Sequence, residues 1–234
     1  MGKRILKTLL VVVLLASAGC GPSNEQISRG QAHYKLGISH LNENSIQAAY
    51  VEFQQAVEID PKNKEYLNAL GIVYLKLSDF AKAEEYFVRS AKVDHKFSEA
   101  QNNLCYLYYT QKRWAESIER CKASLANPIY STPEKPYYNL GMIYLKQKKY
   151  TEAASSFNEA IKRAPSFYHA YYGLALAYNL KGEYGEASTY LTRAIEFDPR
   201  FAGDRARALK GFQSGANVTD DPQDTKDILE ILHY

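Results

Sequence analysis

Apolar and small residues return along this chain in two linked helical stripes, and the pair of stripes recurs every 34 residues, once every 36. The first stripe carries Leu36, Leu70, Leu104, Leu140 and Leu174, each followed by Gly37, Gly71, Cys105, Gly141 and Ala175 and then by His40, Tyr74, Tyr108, Tyr144 and Tyr178. That spacing keeps leucine and aromatic on one helical face. The second stripe carries Ala49, Ala83, Ser117, Ala153 and Ala187, then Phe53, Phe87, Cys121, Phe157 and Leu191, then Ala56, Ser90, Ser124, Ala160 and Ala194. Small residues recur where the two helices must approach closely. Pro61, Pro165 and Pro199 close three of the units, where a missing N–H and a fixed φ end one helix and let the next begin; His95 stands at that place in the second unit. The pattern predicts five units, 30–63, 64–97, 98–133, 134–167 and 168–201, the third two residues longer than the rest. A period in this range predicts units that stack and share one core, giving an extended binding surface.

The Leu-Gly…Tyr…Ala…Phe…Ala…Pro spacing resembles the tetratricopeptide repeat over roughly residues 30–201. The resemblance implies an all-α fold, a right-handed solenoid of five full helix pairs with a C-terminal capping helix. Residues 202–213 read as one more first helix, suited to the polar cap that a stacked array needs. The segment SGANVTD follows, then a short helix opened by Asp221-Pro222 and carrying Ile228, Leu229, Ile231 and Leu232. Whether that helix folds back on the array is open at this point. In this family the first helix of each unit lines the concave surface. By that resemblance the lining is Tyr34, Ile38 and Leu41, then Asn68, Ile72 and Leu75, then Asn102, Tyr106 and Tyr109, then Tyr138, Met142 and Leu145, then Tyr172 and Leu176. An apolar, tyrosine-rich lining points to a protein partner, since such rings bury much area at small entropic cost. Asn68 and Asn102 are expected to offer hydrogen bonds to the main chain of an extended ligand. Clamps for acidic peptide tails carry Lys and Asn where this chain has Tyr34 and Ile38, so the expected ligand is an apolar segment.

The first residues read as an address. Lys3, Arg4 and Lys7 precede the apolar run LLVVVLLA, too short to span a bilayer comfortably, and Ser17-Ala18-Gly19-Cys20 follows. This resembles a bacterial lipoprotein signal, with Ser17 where leucine is usual. The resemblance implies a leader over 1–19, lipidation at Cys20 and a lipidated tether over 20–29; an ordinary secretory peptide with Cys20 free is the alternative. Several acyl chains hold durably, each buried CH₂ contributing about 0.8 kcal/mol. Gly21, in place of a retaining aspartate, implies the periplasmic face of the outer membrane. Without the leader, Lys+Arg balance the 26 Asp+Glu, so the +3 of the whole chain carries no nucleic-acid signal.

An oxidising periplasm would make Cys105 and Cys121 a candidate disulfide, since they take the Gly-type and Phe-type places of one unit and flank its turn symmetrically. Two buried thiols acting as small apolar residues are the alternative. The stretch 127–141, NPIYSTPEKPYYNLG, with Asn102-Asn103-Leu104-Cys105 upstream, resembles the type IV pilus biogenesis lipoproteins of the PilF, PilW and Tgl kind. That family implies a pilotin, a scaffold that binds an outer-membrane secretin subunit in its groove and promotes localisation and multimerisation of the secretin. Members commonly have six units; the sixth here is half recognisable. The other reading is a periplasmic lipoprotein adaptor for cell-wall hydrolases or outer-membrane protein assembly. No phosphate loop, His-Glu-x-x-His or Gly-x-Ser-x-Gly is present, and His33, His40, His95, His169 and His233 are scattered without ligand spacing. The expectation is a non-enzyme with no cofactor, no metal, no small-molecule substrate and no nucleic-acid partner.

Overall fold

The computed structural model describes residues 21–232. The predicted leader, the lipidation at Cys20 and His233 lie outside the described residues. Among the described residues there are twelve α-helices and no strands: α1 (Asn24–Asn42), α2 (Ile46–Ile59), α3 (Lys64–Lys76), α4 (Phe80–Val93), α5 (Ser98–Thr110), α6 (Trp114–Leu125), α7 (Glu134–Lys146), α8 (Tyr150–Arg163), α9 (Tyr168–Lys181), α10 (Tyr184–Phe197), α11 (Arg205–Gln213) and α12 (Pro222–Ile231). Consecutive helices pack as hairpins, α1 with α2, α3 with α4, α5 with α6, α7 with α8 and α9 with α10. They fall into two compact units, one ending at Asp94 and the other beginning at His95.

Each hairpin turns in the same way. Ser45, Asp79, Arg113, Lys149 and Glu183 donate their backbone N–H to the carbonyls of His40, Tyr74, Tyr108, Tyr144 and Tyr178, at 2.8–2.9 Å. This six-to-one bond closes the end of the first helix and requires a left-handed residue just before it. That residue is Asn44, Ser78, Lys112, Lys148 or Gly182, with φ between 57° and 79°. Only the last of the five can adopt it without a Cβ penalty.

Inside each hairpin the two stripes meet. In the first unit Phe53 and Phe87 are fully buried, each over the glycine of its own pair. A Cβ at Gly71 would come within 2.5 Å of the Phe87 ring, so a glycine is what lets the ring reach the backbone of the facing helix. Leu67, Leu70 and Val73 complete this core beside Ala49 and Ala56. The ends of its second hairpin are tied by Lys64 Nζ to Asp94 Oδ2 at 2.6 Å and by Ser90 Oγ donating to the Lys64 carbonyl at 2.7 Å.

In the second unit the hairpin of α5 and α6 departs from the ring-on-glycine rule. Cys105 and Cys121 take the two places and are joined as a disulfide, with Cα atoms 5.1 Å apart and both side chains fully buried. Ser117 Oγ donates to the Cys105 carbonyl at 2.6 Å, satisfying a polar group in that core. Phe157 restores the ring over Gly141 in the next hairpin. The extra residues between α6 and α7 form a turn in which Tyr130 is buried and Ile129 points outward, 86% exposed.

Beyond α10 the chain neither stops at a cap nor completes another hairpin of the same kind. Helix α11 packs lightly on α10, and after a turn through Gly215 at φ 99° the chain returns as α12. Asp221 caps α12 by accepting from the Gln223 N–H, and Pro222 occupies its first turn. Helix α12 rests on α9 and α10 as well as on α11.

Candidate functional site

The first helices carry the residues expected to line a binding face, and each unit presents its own set. In the first unit Tyr34, Leu41, Ile72 and Leu75 are half-buried, Asn68 is buried, and Ile38 is exposed. The Tyr34 ring lies 5.8 Å from Phe53 and 5.3 Å from Tyr66, centroid to centroid, so its body packs on the hairpin core. Leu36 is 50% exposed, whereas Leu70, its counterpart one repeat on, is buried.

In the second unit the same register meets a different situation. Met142, Leu145, Tyr172 and Leu176 are buried within one cluster that also contains Val218, Ile228 and Ile231 of the returning C-terminal segment. Tyr138 packs against Phe157, Phe167 and His169 at 5.6–6.1 Å. Tyr106 and Tyr109 stack on one another, and Trp114 follows at 5.8 Å from Tyr109. Asn102 is buried, and its amide oxygen accepts from Asn139 Nδ2 at 3.1 Å. Its oxygen thus links α5 to α7.

The C-terminal segment therefore lies on this face, which answers the question the sequence left open. Tyr106 donates its hydroxyl to Asp220 at 2.8 Å. Lys146, at the end of α7, reaches Asp221 at 2.6 Å and Asp224 at 3.1 Å. Thr219 Oγ1 donates to the other oxygen of Asp224 at 2.7 Å, and Val218 N–H donates to Thr225 Oγ1. Farther along, Arg200 holds the Asn217 carbonyl and Arg205 that of Leu232. None of Lys146, Asp220, Asp221 and Asp224 figured in the sequence-based lining. The usable signal was the Asp220-Asp221-Pro222 run, which reads as a helix start and gives no hint of a cation 75 residues upstream.

The electrostatics follow from uneven burial. Burial raises the hydroxyl pKa of Tyr106, and the hydrogen bond to Asp220 adds to it. Burial does the same for Tyr109, with Asp224, Asp220 and Asp221 adding to it, and for Tyr138. All three stay protonated near neutral pH and can act as donors. Burial works against the charge of Lys146, yet the bonds to Asp221 and Asp224 outweigh it and hold the ammonium above its ordinary pKa. The Asp221 carboxylate, 40% exposed, is held below the usual range by Lys146 and by the Gln223 N–H. Asp224, 11% exposed, is pushed up by burial in spite of Thr219 and Lys146. Burial also lowers the pKa of His169, with Arg200 adding to it.

Two open clefts flank the segment. One, of about 520 Å³, runs between Tyr109, Trp114, Lys112 and Lys146 on one side and Asp220 to Pro222 on the other. The second, of about 510 Å³, lies between Tyr138 and His169 and residues 217–220. Nδ1 of His169 is buried there with no hydrogen-bond partner among the described residues. Such surfaces, aromatic with a few convergent polar groups, suit recognition of a side chain or a short segment. Among the described residues no group of three His, Cys, Asp or Glu side chains is placed to hold a metal ion, and no helix is long and apolar enough to cross a membrane.

Comparison with known proteins places this geometry. The chain is 24% identical over 163 residues to the type IV pilus assembly protein PilF of Pseudomonas aeruginosa, matching 66% of this chain and 65% of that protein, so it spans a little under two thirds of that relative's length. It is 27% identical over 132 residues to anaphase-promoting complex subunit 3 of Schizosaccharomyces pombe, but spans 19% of that much longer protein. Among solved structures, Pseudomonas aeruginosa PilF superposes with a TM-score of 0.71 at 20% identity, covering 89% of this chain and 90% of the other. PilW, described as a widely conserved type IV pilus biogenesis factor, gives 0.70 at 22% identity, covering 86% and 90%. These likenesses establish the fold. Tetratricopeptide-repeat models match residues 30–63, 52–85 and 138–200, together more than half of the sequence, and with the recurring hairpins they show that this chain belongs to the tetratricopeptide-repeat family.

Proposed function

We propose that this chain is a lipid-anchored adaptor of the type IV pilus machinery, held at the periplasmic face of the outer membrane through Cys20, which captures a segment of the secretin subunit on its first helices and promotes secretin localisation and multimerisation. The observation that carries the reading is the likeness to PilF and PilW over nearly the whole of both solved chains. The chemistry of each unit's own face supports a protein ligand, with half-buried Tyr34 and aliphatics on α1 and α3 in the first and protonated tyrosine hydroxyls on α5 and α7 in the second.

Tethering explains how capture promotes assembly. A membrane-held adaptor confines each bound subunit to a thin layer, so that the next encounter is between neighbours and no longer between solutes. Deleting the gene is expected to leave secretin subunits monomeric and the surface without pili, read as loss of heat-resistant secretin multimers on denaturing gels. Normal multimers in the deletion strain would overturn the reading.

A further inference from the structure

The returning segment 217–231 sits on the expected binding face of the second unit without being part of a repeated hairpin. Its contacts have two parts. Carboxylates lead: Asp220 meets the Tyr106 hydroxyl, and Asp221 and Asp224 share Lys146. An apolar helix face follows, placing Ile228 and Ile231 in one cluster with Met142, Leu145, Tyr172 and Leu176, which Val218 joins from just ahead of the carboxylates. The order, carboxylates and then an amphipathic turn of helix, is that of a ligand laid along a groove with its helix N-terminus over the acidic anchor. It differs from the purely apolar ligand that Tyr34 and Ile38 in the first unit suggest.

Several features set this segment apart from a permanent cap. It hangs on a turn through Gly215, which has open space around it. The Lys146 and Asp221 side chains are 26% and 40% exposed, so part of the hold is open to screening by salt. Clefts remain on both sides of it, and among the described residues Nδ1 of His169 lies buried at one of them with no hydrogen-bond partner. A segment that completed the face would fill those spaces and meet that nitrogen.

We infer that residues 217–231 are an internal, displaceable ligand of the second unit, and that the partner which replaces them presents the same chemistry: a protein segment with carboxylates leading a short amphipathic helix. In the resting chain the face is occupied, and capture by α5, α7 and α9 follows release of the segment. The first unit's face has no such occupant among the described residues. This rests on the reading that the first helices bind a protein segment; it does not depend on the partner being a secretin. A normal secretin phenotype in the deletion strain would remove the proposed function and leave this exchange intact.

The test uses the full chain and a fluorescently labelled peptide of residues 217–232, NVTDDPQDTKDILEIL, as the probe. A chain with Asp221→Asn, Asp224→Asn and Ile228→Ser, which loosens the segment but leaves the face unchanged, is expected to bind the peptide at least tenfold more tightly than the parent. Adding Lys146→Ala to that chain should remove the gain, and a peptide with Asp→Asn at its four aspartates should bind at least tenfold more weakly than the acidic one. Equal peptide binding by parent and loosened chain overturns the proposal, as does equal binding of the acidic and amidated peptides. Hydrogen exchange on the unaltered chain guards against a variant that fails to fold. Amides of α12 should exchange at least a hundredfold faster than those in the middle of α9, and equal rates would make the segment a fixed part of the core.

Discussion

Four of the five hairpin turns place an ordinary L-residue in the left-handed region, at Asn44, Ser78, Lys112 and Lys148. Outside glycine that conformation costs about 1–2 kcal/mol, with asparagine suffering least. Lys148→Gly is therefore expected to stabilise the chain by about 0.5 kcal/mol, after glycine's greater freedom in the unfolded chain is set against the relief. A rise in the urea midpoint without change in slope would check this. Asp198 shows the opposite situation, a charge that the fold requires. Its side chain is fully buried, yet Arg200 bonds it at 2.7 Å, and the Tyr172 hydroxyl donates to it at 3.0 Å. Burial opposes its charge, but Arg200 and Tyr172 together hold its pKa below the usual carboxylate value. A depressed folded pKa means stability that is present above about pH 4, the unfolded value. It is lost as pH falls through the depressed one. Asp198→Asn should cost about 1.5 kcal/mol at neutral pH, through loss of the charged bonds to the partly exposed Arg200, and the gap to the parent should close in strongly acid urea titrations.

At the level of helices and hairpins, much was readable because the repeat states each rule several times. Leu70, Leu104 and Leu140 are buried where their stripe predicts, and Ala49, Ala83 and Ala153 have no exposure at the crossings. The C-terminal segment was not readable in this way. Its decisive bond, from Tyr106 to Asp220, joins residues 114 apart, and no local periodicity encodes such a pair. Asn102 shows the same limit, since its partner Asn139 lies on the next first helix. The disulfide sits between these cases: the places of Cys105 and Cys121 in the repeat put them face to face on sequence grounds, while the sequence leaves their oxidation state open. Within the hairpin of α5 and α6 it closes a short loop, which in the chain-entropy model stabilises by about 3 kcal/mol. Cys105→Ala with Cys121→Ala is expected to lose that much, and somewhat more where two small side chains leave the Phe-type place unfilled. Calorimetry of the oxidised parent against the double variant would measure it; unchanged melting would mean that the bond contributes nothing beyond packing.

For the molecule as a whole, the proposed function puts anchorage and recognition in separate parts of the chain. Helix α1 is capped by Ser23, whose hydroxyl accepts from the Gln26 N–H while the Gln26 side chain accepts from the Ser23 N–H, so this cap lies three residues after Cys20 in sequence. A lipid on that cysteine would hold the first hairpin close to the bilayer, leaving little slack. Cys20→Ala should give a folded chain with the same helical content, recovered in the soluble periplasmic fraction; persistence with outer membranes after a carbonate wash would argue for another means of attachment. The crosslink in the hairpin of α5 and α6 has a further consequence. It lies within one hairpin, so it tightens no contact between neighbouring hairpins. In a linear array, where each member is supported chiefly by those beside it, melting that reaches this point meets a pair of rods that cannot come apart. The oxidised protein should fray in stages around a persistent kernel, and a reducing agent should merge those stages into one.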